Sequence, residues 1–238
     1  LTSLGNDTGP FTLEKDGTYT LLIEGRSYTS GTADYQFVLN EVVDTLRSIT
    51  PGVADGMDPG WTAGQMAGGL QLNGEQWLQA AAAPSLDLTS TVTMEAWVQV
   101  DQYNSTWTPL LYKGSAANQR SYSVWLNADG SVYLGTADGS GEQGIQTDAG
   151  WVRAGEWHHV AAVIDRVGGE LRILIDGVER KTGVVRTGTA VATATTELFI
   201  GNGPEGSDAY ARLSGTLDEL RLWSVARSSA AIAAAKDA

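Results

Sequence analysis

The sequence predicts an all-β protein in which antiparallel sheets pack face to face. Of its 238 residues, 29 are glycine and only 18% are charged, a composition that suits many short strands joined by tight turns. Alternating apolar segments recur after residue 66, and most are separated by glycine-containing turns. The apolar fraction of 42% is enough for a packed core, and the length allows one large β-sandwich with a smaller addition, or two small domains.

Period-two alternation predicts the individual strands, because successive side chains of a strand point to opposite faces. The longest predicted strand is residues 92–100, where every second residue is apolar. Residues 122–126 and 132–134 predict a hairpin that turns at Asp129-Gly130, since glycine tolerates a positive φ. Further strands are predicted at residues 69–74, 76–79, 109–113, 157–165, 170–176, 197–201 and 217–223.

The two ends of the chain differ from this strand-rich middle. Residues 1–44 predict a β-hairpin extension that packs on the main domain, or the remnant of a preceding β-domain, because they are too few to bury a core alone. Residues 45–65 hold two prolines and several glycines, which favours a linker or irregular entry segment with room for short β elements. Residues 66–238 form the predicted main domain. Its alanine-rich end, residues 228–235, begins with serines that can cap a short helix.

Charge and composition exclude several classes of function. The net charge is −13, so the chain lacks the basic footprint that nucleic acids and anionic membrane surfaces require. The chain has no cysteine, which excludes disulfides, thiolate metal sites and cysteine nucleophiles. No apolar run approaches the length of a membrane span. Because the sequence starts at Leu1 and has no self-association motif, we expect a monomeric module cut from a longer protein.

Six motifs in order resemble the laminin-G-like, pentraxin-related family of concanavalin A-like jelly rolls, across about residues 69–235. Three lie in the first half of this range, Leu70-Gln71-Leu72-Asn73-Gly74, Thr93-Met94-Glu95-Ala96-Trp97-Val98 and Leu110-Leu111-Tyr112-Lys113-Gly114. Three follow, Gly155-Glu156-Trp157-His158-His159-Val160-Ala161, Leu174-Ile175-Asp176-Gly177, and Gly215 to Trp223 with Ala226-Arg227-Ser228. The resemblance implies a jelly-roll β-sandwich of two antiparallel sheets that binds sugars or proteins and rarely catalyses. The N-terminal strands resemble small repeats beside binding modules in secreted bacterial proteins, so an extracellular, secreted or cell-surface location is expected.

Carboxylates and histidines give no signature of catalysis. A glycosidase needs two carboxylates across a sugar site, and the Glu-x-Asp-x-x-Glu run of jelly-roll hydrolases is absent. Glu95 stands alone on its strand, and the neighbours Asp218 and Glu219 point to opposite faces. The adjacent His158 and His159 cannot share a face as a metal pair. The chain is therefore predicted not to be an enzyme, with a glycan-cleaving activity left as a third alternative because carboxylates from separate strands can converge.

Calcium is the metal that the resemblance implies. A structural Ca²⁺ often lies where the first and last strands of these jelly rolls meet, which corresponds here to Asp218 and to the carbonyl region of Asn73 and Gly74. Alternatively, Asp218 only caps or hydrogen-bonds the strand entry. A second candidate for calcium is the predicted loop of residues 136–150, which carries the acids Asp138, Glu142 and Asp148.

Aromatic residues are the candidate ligand contacts. On the predicted 122–134 hairpin, alternation sends Trp125 and Tyr133 to the face opposite the apolar one, where a ring can stack on a pyranose. Trp107 lies in a polar loop and can act likewise, with Arg120 as a hydrogen-bond donor. The alternative is that loops or N-terminal strands cover these rings. The sequence thus predicts a non-catalytic carbohydrate-binding or adhesion module whose partner is a glycan, or alternatively a protein-interaction or spacer domain whose partner is an extracellular protein.

Overall fold

A computed structural model describes residues 49–53, 60–66, 68–204 and 210–237, and in 49–53 the backbone alone. These residues form fourteen strands, one α-helix and two single-turn 3-10 helices at Pro84–Leu86 and Ala117–Gln119. The strands are β1 Ile49–Val53, β2 Gly60–Ala63, β3 Gly68–Asn73, β4 Gln76–Ala80, β5 Thr91–Gln102, β6 Trp107–Gly114, β7 Arg120–Asn127, β8 Val132–Asp138, β9 Gly141–Gln146, β10 Trp157–Asp165, β11 Glu170–Ile175, β12 Val178–Val184, β13 Leu198–Ile200 and β14 Ser214–Trp223. The helix α1 is Ser229–Ala235.

The strands form two antiparallel sheets of seven strands each, within the part of the chain described. Sheet A has the order β1-β4-β13-β6-β7-β8-β9, and sheet B has the order β12-β11-β10-β5-β14-β3-β2. The late strands β13 and β14 each lie between earlier strands, so the chain crosses between the sheets as a jelly roll does. The predicted all-β sandwich is confirmed.

The core lies between the two sheets and follows the predicted alternation. Apolar residues from both sheets belong to one buried cluster, including Val92, Met94, Val98 and Val100 from β5 and Val124, Leu126, Val132 and Leu134 from β7 and β8. Each of these side chains is at most 3% exposed. The opposite faces of β7 and β8 therefore point away from the core.

Helix α1 covers part of the outer face of sheet B. Its Ile232 packs with Ala161, Val163 and Leu174 in a second, smaller apolar cluster. The Ser228 side chain accepts a hydrogen bond from the Ala231 N–H and so caps the helix, as the serine-led sequence predicts. Residues on the polar face of β5 are buried beneath this segment, and the side chain of Glu95 is fully shielded from solvent.

The predicted turns and entry segments can be compared with the described backbone. Gly130 has a φ of +81°, which glycine adopts without strain at the predicted hairpin turn. Within the predicted entry segment 45–65, β1 pairs with β4 and β2 pairs with β3 at the sheet edges. The predicted N-terminal extension, residues 1–44, lies outside the described residues. No helix among the described residues is long and apolar enough to cross a membrane.

Candidate functional site

The outer face of sheet A carries a row of polar and aromatic side chains in direct cross-strand register. Trp125 on β7 is paired with Tyr133 on β8, and Tyr133 is paired with Gln146 on β9. Residues paired in this way project from the same face of a sheet. Because the alternate residues of β7 and β8 fill the core, this row lies on the side of sheet A that faces away from the core.

A cavity of about 300 Å³ opens on this face. It is lined by Trp107, Arg120, Trp125, Tyr133, Glu142, Gln146 and Tyr210. The structure therefore brings together all four residues that the sequence indicates as ligand contacts, Trp107, Arg120, Trp125 and Tyr133. Their role in binding stays a prediction.

Edge-to-face contacts hold the aromatic rings around the cavity. The ring centres of Trp107 and Trp125 are 6.5 Å apart and those of Trp107 and Tyr133 are 6.0 Å apart. Tyr210 lies 5.5 Å from Trp125, also edge to face. Such T-shaped pairs are favoured by the ring quadrupoles and fix the orientation of each ring. All four rings are half-buried, so none is completely covered by the described part of the chain.

A buried charge lies at the base of the cavity. Arg120 is only 5% exposed, and its guanidinium carbon lies 5.5 Å from the Tyr133 ring and 6.0 Å from the Trp125 ring. Burial lowers the pKa of Arg120 below its ordinary value, while Tyr133 and Tyr112 oppose that shift. Since an arginine stays charged in proteins, this guanidinium needs a counter-ion. The Glu142 carboxylate forms an ion pair with it, and the Tyr133 hydroxyl donates a 2.5 Å hydrogen bond to Glu142 Oε1.

Two glycines provide the floor beneath these side chains. Gly135 on β8 and Gly144 on β9 are direct cross-strand partners. A Cβ at Gly135 would lie 2.7 Å from the Tyr133 ring and 2.9 Å from the Arg120 guanidinium, and one at Gly144 would lie 2.3 Å from the Tyr133 hydroxyl. Because contacts below 3.0 Å force a shift, the arrangement of Tyr133 and Arg120 depends on glycine at both positions.

Sequence reasoning missed three of the seven lining residues as ligand contacts. Glu142 and Gln146 lie on β9, an edge strand inside the predicted loop 136–150, and Ile145 is the only apolar residue on that strand. A strand without alternating apolar residues gives no period-two signal. Tyr210 lies outside any strand, between β13 and β14. The register of Gln146 with Tyr133 would have indicated β9 once the β8–β9 hairpin was recognised.

The structure does not bring the predicted calcium ligands together. Asn73 is paired with Ser214 at one end of the β3–β14 ladder, and Asp218 lies four residues further along β14, roughly 13 Å away at strand spacing. Asp218 Oδ2 accepts the Met66 N–H and Oδ1 accepts the Glu219 N–H, each at 2.8 Å. Met66 lies just before β3, so Asp218 hydrogen-bonds backbone at a strand entry, which is the alternative that the sequence left open. Asp218, Asn73 and Gly74 therefore do not fit a shared calcium site.

Two of the three acids in the second calcium candidate form ion pairs with arginines. Asp138 accepts hydrogen bonds from Arg186 Nε and Nη2, both at 2.8 Å, and contacts Arg166. Glu142 is paired with Arg120, as described above. Among the described residues, no group of three or more His, Asp or Glu side chains is placed to hold a metal.

The histidines lie on sheet B, whereas the cavity lies on sheet A. His158 Nδ1 is 3.0 Å from Asp176 Oδ2. His159 packs edge to face on Trp97 with ring centres 5.4 Å apart, and its Nε2 lies 3.7 Å from Glu95 Oε2. As adjacent strand residues the two imidazoles point to opposite faces, as predicted.

Solved structures share this fold at low sequence identity. Domain 4 of AbnA, a GH43 extracellular arabinanase from Geobacillus stearothermophilus solved with arabinotriose, has a TM-score of 0.59 and 20% identity over 78% of this chain and 85% of that domain. The CBM40 of the Ruminococcus gnavus IT-sialidase, bound to α2,3 sialyllactose, has a TM-score of 0.56 and 14% identity over 70% of this chain and 95% of the other. The binding domain of botulinum neurotoxin serotype G has a TM-score of 0.59 and 11% identity over 78% of this chain, which spans 45% of that domain.

Sequence comparison gives the family. A comparison with curated proteins finds no match. The family model Laminin_G_3, described as the concanavalin A-like lectin/glucanases superfamily, matches residues 72–233, which is more than half of the chain. The chain therefore belongs to the Laminin_G_3 family of the concanavalin A-like lectin/glucanases superfamily, in agreement with the resemblance read from its six motifs.

Proposed function

We propose that this chain is a non-catalytic carbohydrate-binding or adhesion module of a larger secreted or cell-surface bacterial protein, and that it holds a glycan in the cavity on sheet A. The observation that carries the proposal is the set of half-buried rings, Trp107, Trp125, Tyr133 and Tyr210, around one polar base. Aromatic rings offer apolar faces to the C–H groups of a sugar ring, and their own T-shaped contacts reduce the entropy lost on binding.

The polar residues at the base of the cavity supply hydrogen-bond donors and acceptors for the hydroxyl groups of a sugar. Arg120 offers N–H donors and Glu142 offers carboxylate acceptors within the same cavity. Small-molecule sites combine an apolar lining with a few such polar groups, and about 300 Å³ lies at the lower end of their range. A cavity of this size suits a sugar or a short sugar segment better than the broad surface of a protein partner.

Similar folds with bound sugars support the same proposal. The arabinanase domain was solved with arabinotriose and the sialidase CBM40 with sialyllactose. The first is domain 4 of an arabinanase and the second is the CBM40 of a sialidase, which supports a module that accompanies other domains. Their bound sugars support a glycan partner for this chain, and the extracellular arabinanase supports an extracellular setting.

The charges of the cavity support binding without cleavage. Glycoside hydrolysis uses two carboxyl groups, about 5–10 Å apart across the scissile bond. Among the described residues that line the cavity, Glu142 supplies the one carboxylate, and Arg120 and Tyr133 already engage it. The described lining therefore does not pair Glu142 with the second carboxyl group that both retaining and inverting hydrolysis require.

A glycan array with the intact chain and two tryptophan variants tests the proposal. Trp107→Ala removes a half-buried ring of the cavity, whereas Trp61→Ala removes a ring that is 80% exposed on edge strand β2 of sheet B. We expect glycan binding by the wild type and by Trp61→Ala, and a loss of about tenfold or more in Trp107→Ala. Equal binding by both variants would place the glycan elsewhere. A blank array for all three proteins would favour the protein-interaction or spacer alternative.

A further inference from the structure

The cavity holds one positive and one negative group in contact with each other. Arg120 and Glu142 are the two charged residues among the described lining residues, and they form an ion pair. The other lining residues are uncharged tryptophan, tyrosine and glutamine side chains. The lining described is therefore close to electrically neutral, although it contains a buried guanidinium.

We propose that Glu142 is a specificity-determining residue that makes this site select neutral over acidic glycans. The inference rests on the proposed function, since it concerns which glycan the same cavity takes. A buried arginine in a sugar site would by itself favour a carboxylate-bearing sugar, because a guanidinium pairs with carboxylates in a bidentate manner. Glu142 already supplies the carboxylate that pairs with this guanidinium.

Contacts on both faces of β9 hold Glu142 in its place beside Arg120. Ala137 on β8 is paired with Glu142, and the Tyr133 hydroxyl donates to its Oε1 at 2.5 Å. The next residue, Gln143, accepts the Arg186 N–H at 2.8 Å through its side chain, which fixes the same strand from the other face. An incoming carboxylate would have to displace a tethered one, so it competes at a disadvantage.

A neutral sugar does not face this competition. Its hydroxyl groups can accept from Arg120 and donate to Glu142 at the same time, so neither charge loses its partner. An acidic sugar would instead bring a second negative charge beside Glu142, and like charges placed together in an interface are costly. The net charge of −13 on the whole chain adds a further unfavourable field for anionic ligands.

Glu142→Gln tests this role without removing the shape of the side chain. Glutamine keeps an oxygen that can accept the Tyr133 hydroxyl, but it leaves the Arg120 charge without its counter-ion. The matched control is Glu170→Gln, which removes one negative charge from a Glu–Arg pair on sheet B, where the half-exposed Glu170 contacts Arg172 at 3.1 Å. The measurement is an array in which each neutral oligosaccharide is printed beside the same oligosaccharide extended by a uronic or sialic acid.

Wild type and Glu170→Gln should bind the neutral members about tenfold or more tightly than their acidic counterparts. In Glu142→Gln the ratio of neutral to acidic affinity should fall by about tenfold, so that the preference disappears or reverses. Tight binding of acidic members by the wild type, or an unchanged preference in Glu142→Gln, would overturn the inference and leave the proposed function standing. Absence of binding to any glycan by all three proteins would overturn the proposed function, and the inference with it.

Discussion

Gly135 and Gly144 face each other across β8 and β9, and the Tyr133 ring lies in the space that their missing side chains leave. This flat floor lets the Tyr133 hydroxyl reach along the sheet to Glu142. It also leaves room for the Arg120 guanidinium above Gly135. The position of the buried charge in the cavity thus depends on glycine at these two positions.

Gly135→Ala should reduce glycan binding more than it reduces stability. Its Cβ would lie 2.7 Å from the Tyr133 ring and 2.9 Å from the Arg120 guanidinium, which are the far ends of flexible side chains, so the two side chains move and the strand stays. We expect an affinity loss of about tenfold and a cost of about 1 kcal/mol in the free energy of unfolding. Titration calorimetry and urea unfolding measure the two quantities.

Gly139→Ala is the matched control for that substitution. Gly139 lies in the same β8–β9 hairpin, and a Cβ there would meet nothing within 4 Å. This variant should bind as the wild type does. If Gly135→Ala also kept full affinity, the arrangement of Tyr133 and Arg120 over the glycine floor would be irrelevant to binding.

Calcium should leave both stability and glycan binding unchanged. Asp218 already accepts two backbone N–H groups, and the Asn73 side chain accepts the Glu75 N–H at 2.9 Å. A calcium ion needs six to eight oxygen ligands, and these groups lie at different positions along β14 and β3. We expect the melting temperature in millimolar calcium and in EDTA to agree within about 1 °C, a smaller shift than about 1 kcal/mol of stabilisation would cause. A clear rise with calcium would show that another set of oxygens binds it.

The strands and the aromatic part of the site could be predicted because alternation determines both. The same period that places Val124 and Leu134 in the core places Trp125 and Tyr133 on the outer face. The long strand β5 follows this rule as well, with Val92 in the core. Period-two alternation is a local property, and the sequence contains it directly.

The polar half of the site depends on pairings between strands, which alternation does not specify. Glu142 meets Arg120 only because β9 adds to the edge of β8, and no apolar pattern identifies β9. Asp218 and Asn73 do not lie close together for the same reason, because the register of β14 on β3 separates them. A residue's face can be read from its neighbours in sequence, but its distance to a residue on another strand requires the register.

The buried Glu95–Arg227 pair should contribute strongly to the attachment of the C-terminal segment. The Glu95 side chain is fully buried on β5, and Arg227 also donates its N–H to Thr93 Oγ1 at 3.0 Å. Arg227→Met would leave the Glu95 carboxylate buried without its counter-ion. We expect a loss of about 3–5 kcal/mol in the free energy of unfolding, measured in urea.

Two further variants separate the ion pair from other effects of the substitution. Adding Glu95→Gln to Arg227→Met should recover part of the loss, because the buried charge is removed together with its partner. Arg153→Ala breaks an exposed pair with Glu156, 3.8 Å apart, and should change stability by less than about 1 kcal/mol. A double variant no more stable than Arg227→Met would mean that the charge of Glu95 is not the cause.

A buried histidine lies in the same cluster. His159 is 2% exposed, and burial together with Arg221 and Lys236 lowers its pKa from 6.5 to about 4, although Asp176 and Asp237 act in the opposite direction. The folded protein therefore binds the His159 proton less tightly than the unfolded chain does. Its contribution to stability is complete above pH 6.5 and decreases as the pH falls from 6.5 towards 4.

Acid should therefore destabilise the protein mainly between pH 6.5 and about 4. The difference between 6.5 and about 4 corresponds to roughly 3 kcal/mol, lost across that interval. The pKa of Asp138 is lowered from 3.8, chiefly through its hydrogen bonds with Arg186, so its own contribution disappears only below that range. His159→Gln should flatten the profile between pH 6.5 and 4, whatever its stability at neutral pH, because no group then takes up that proton. Urea unfolding at a series of pH values measures the slope, and an equal slope in the variant and the wild type would assign the acid sensitivity to another group.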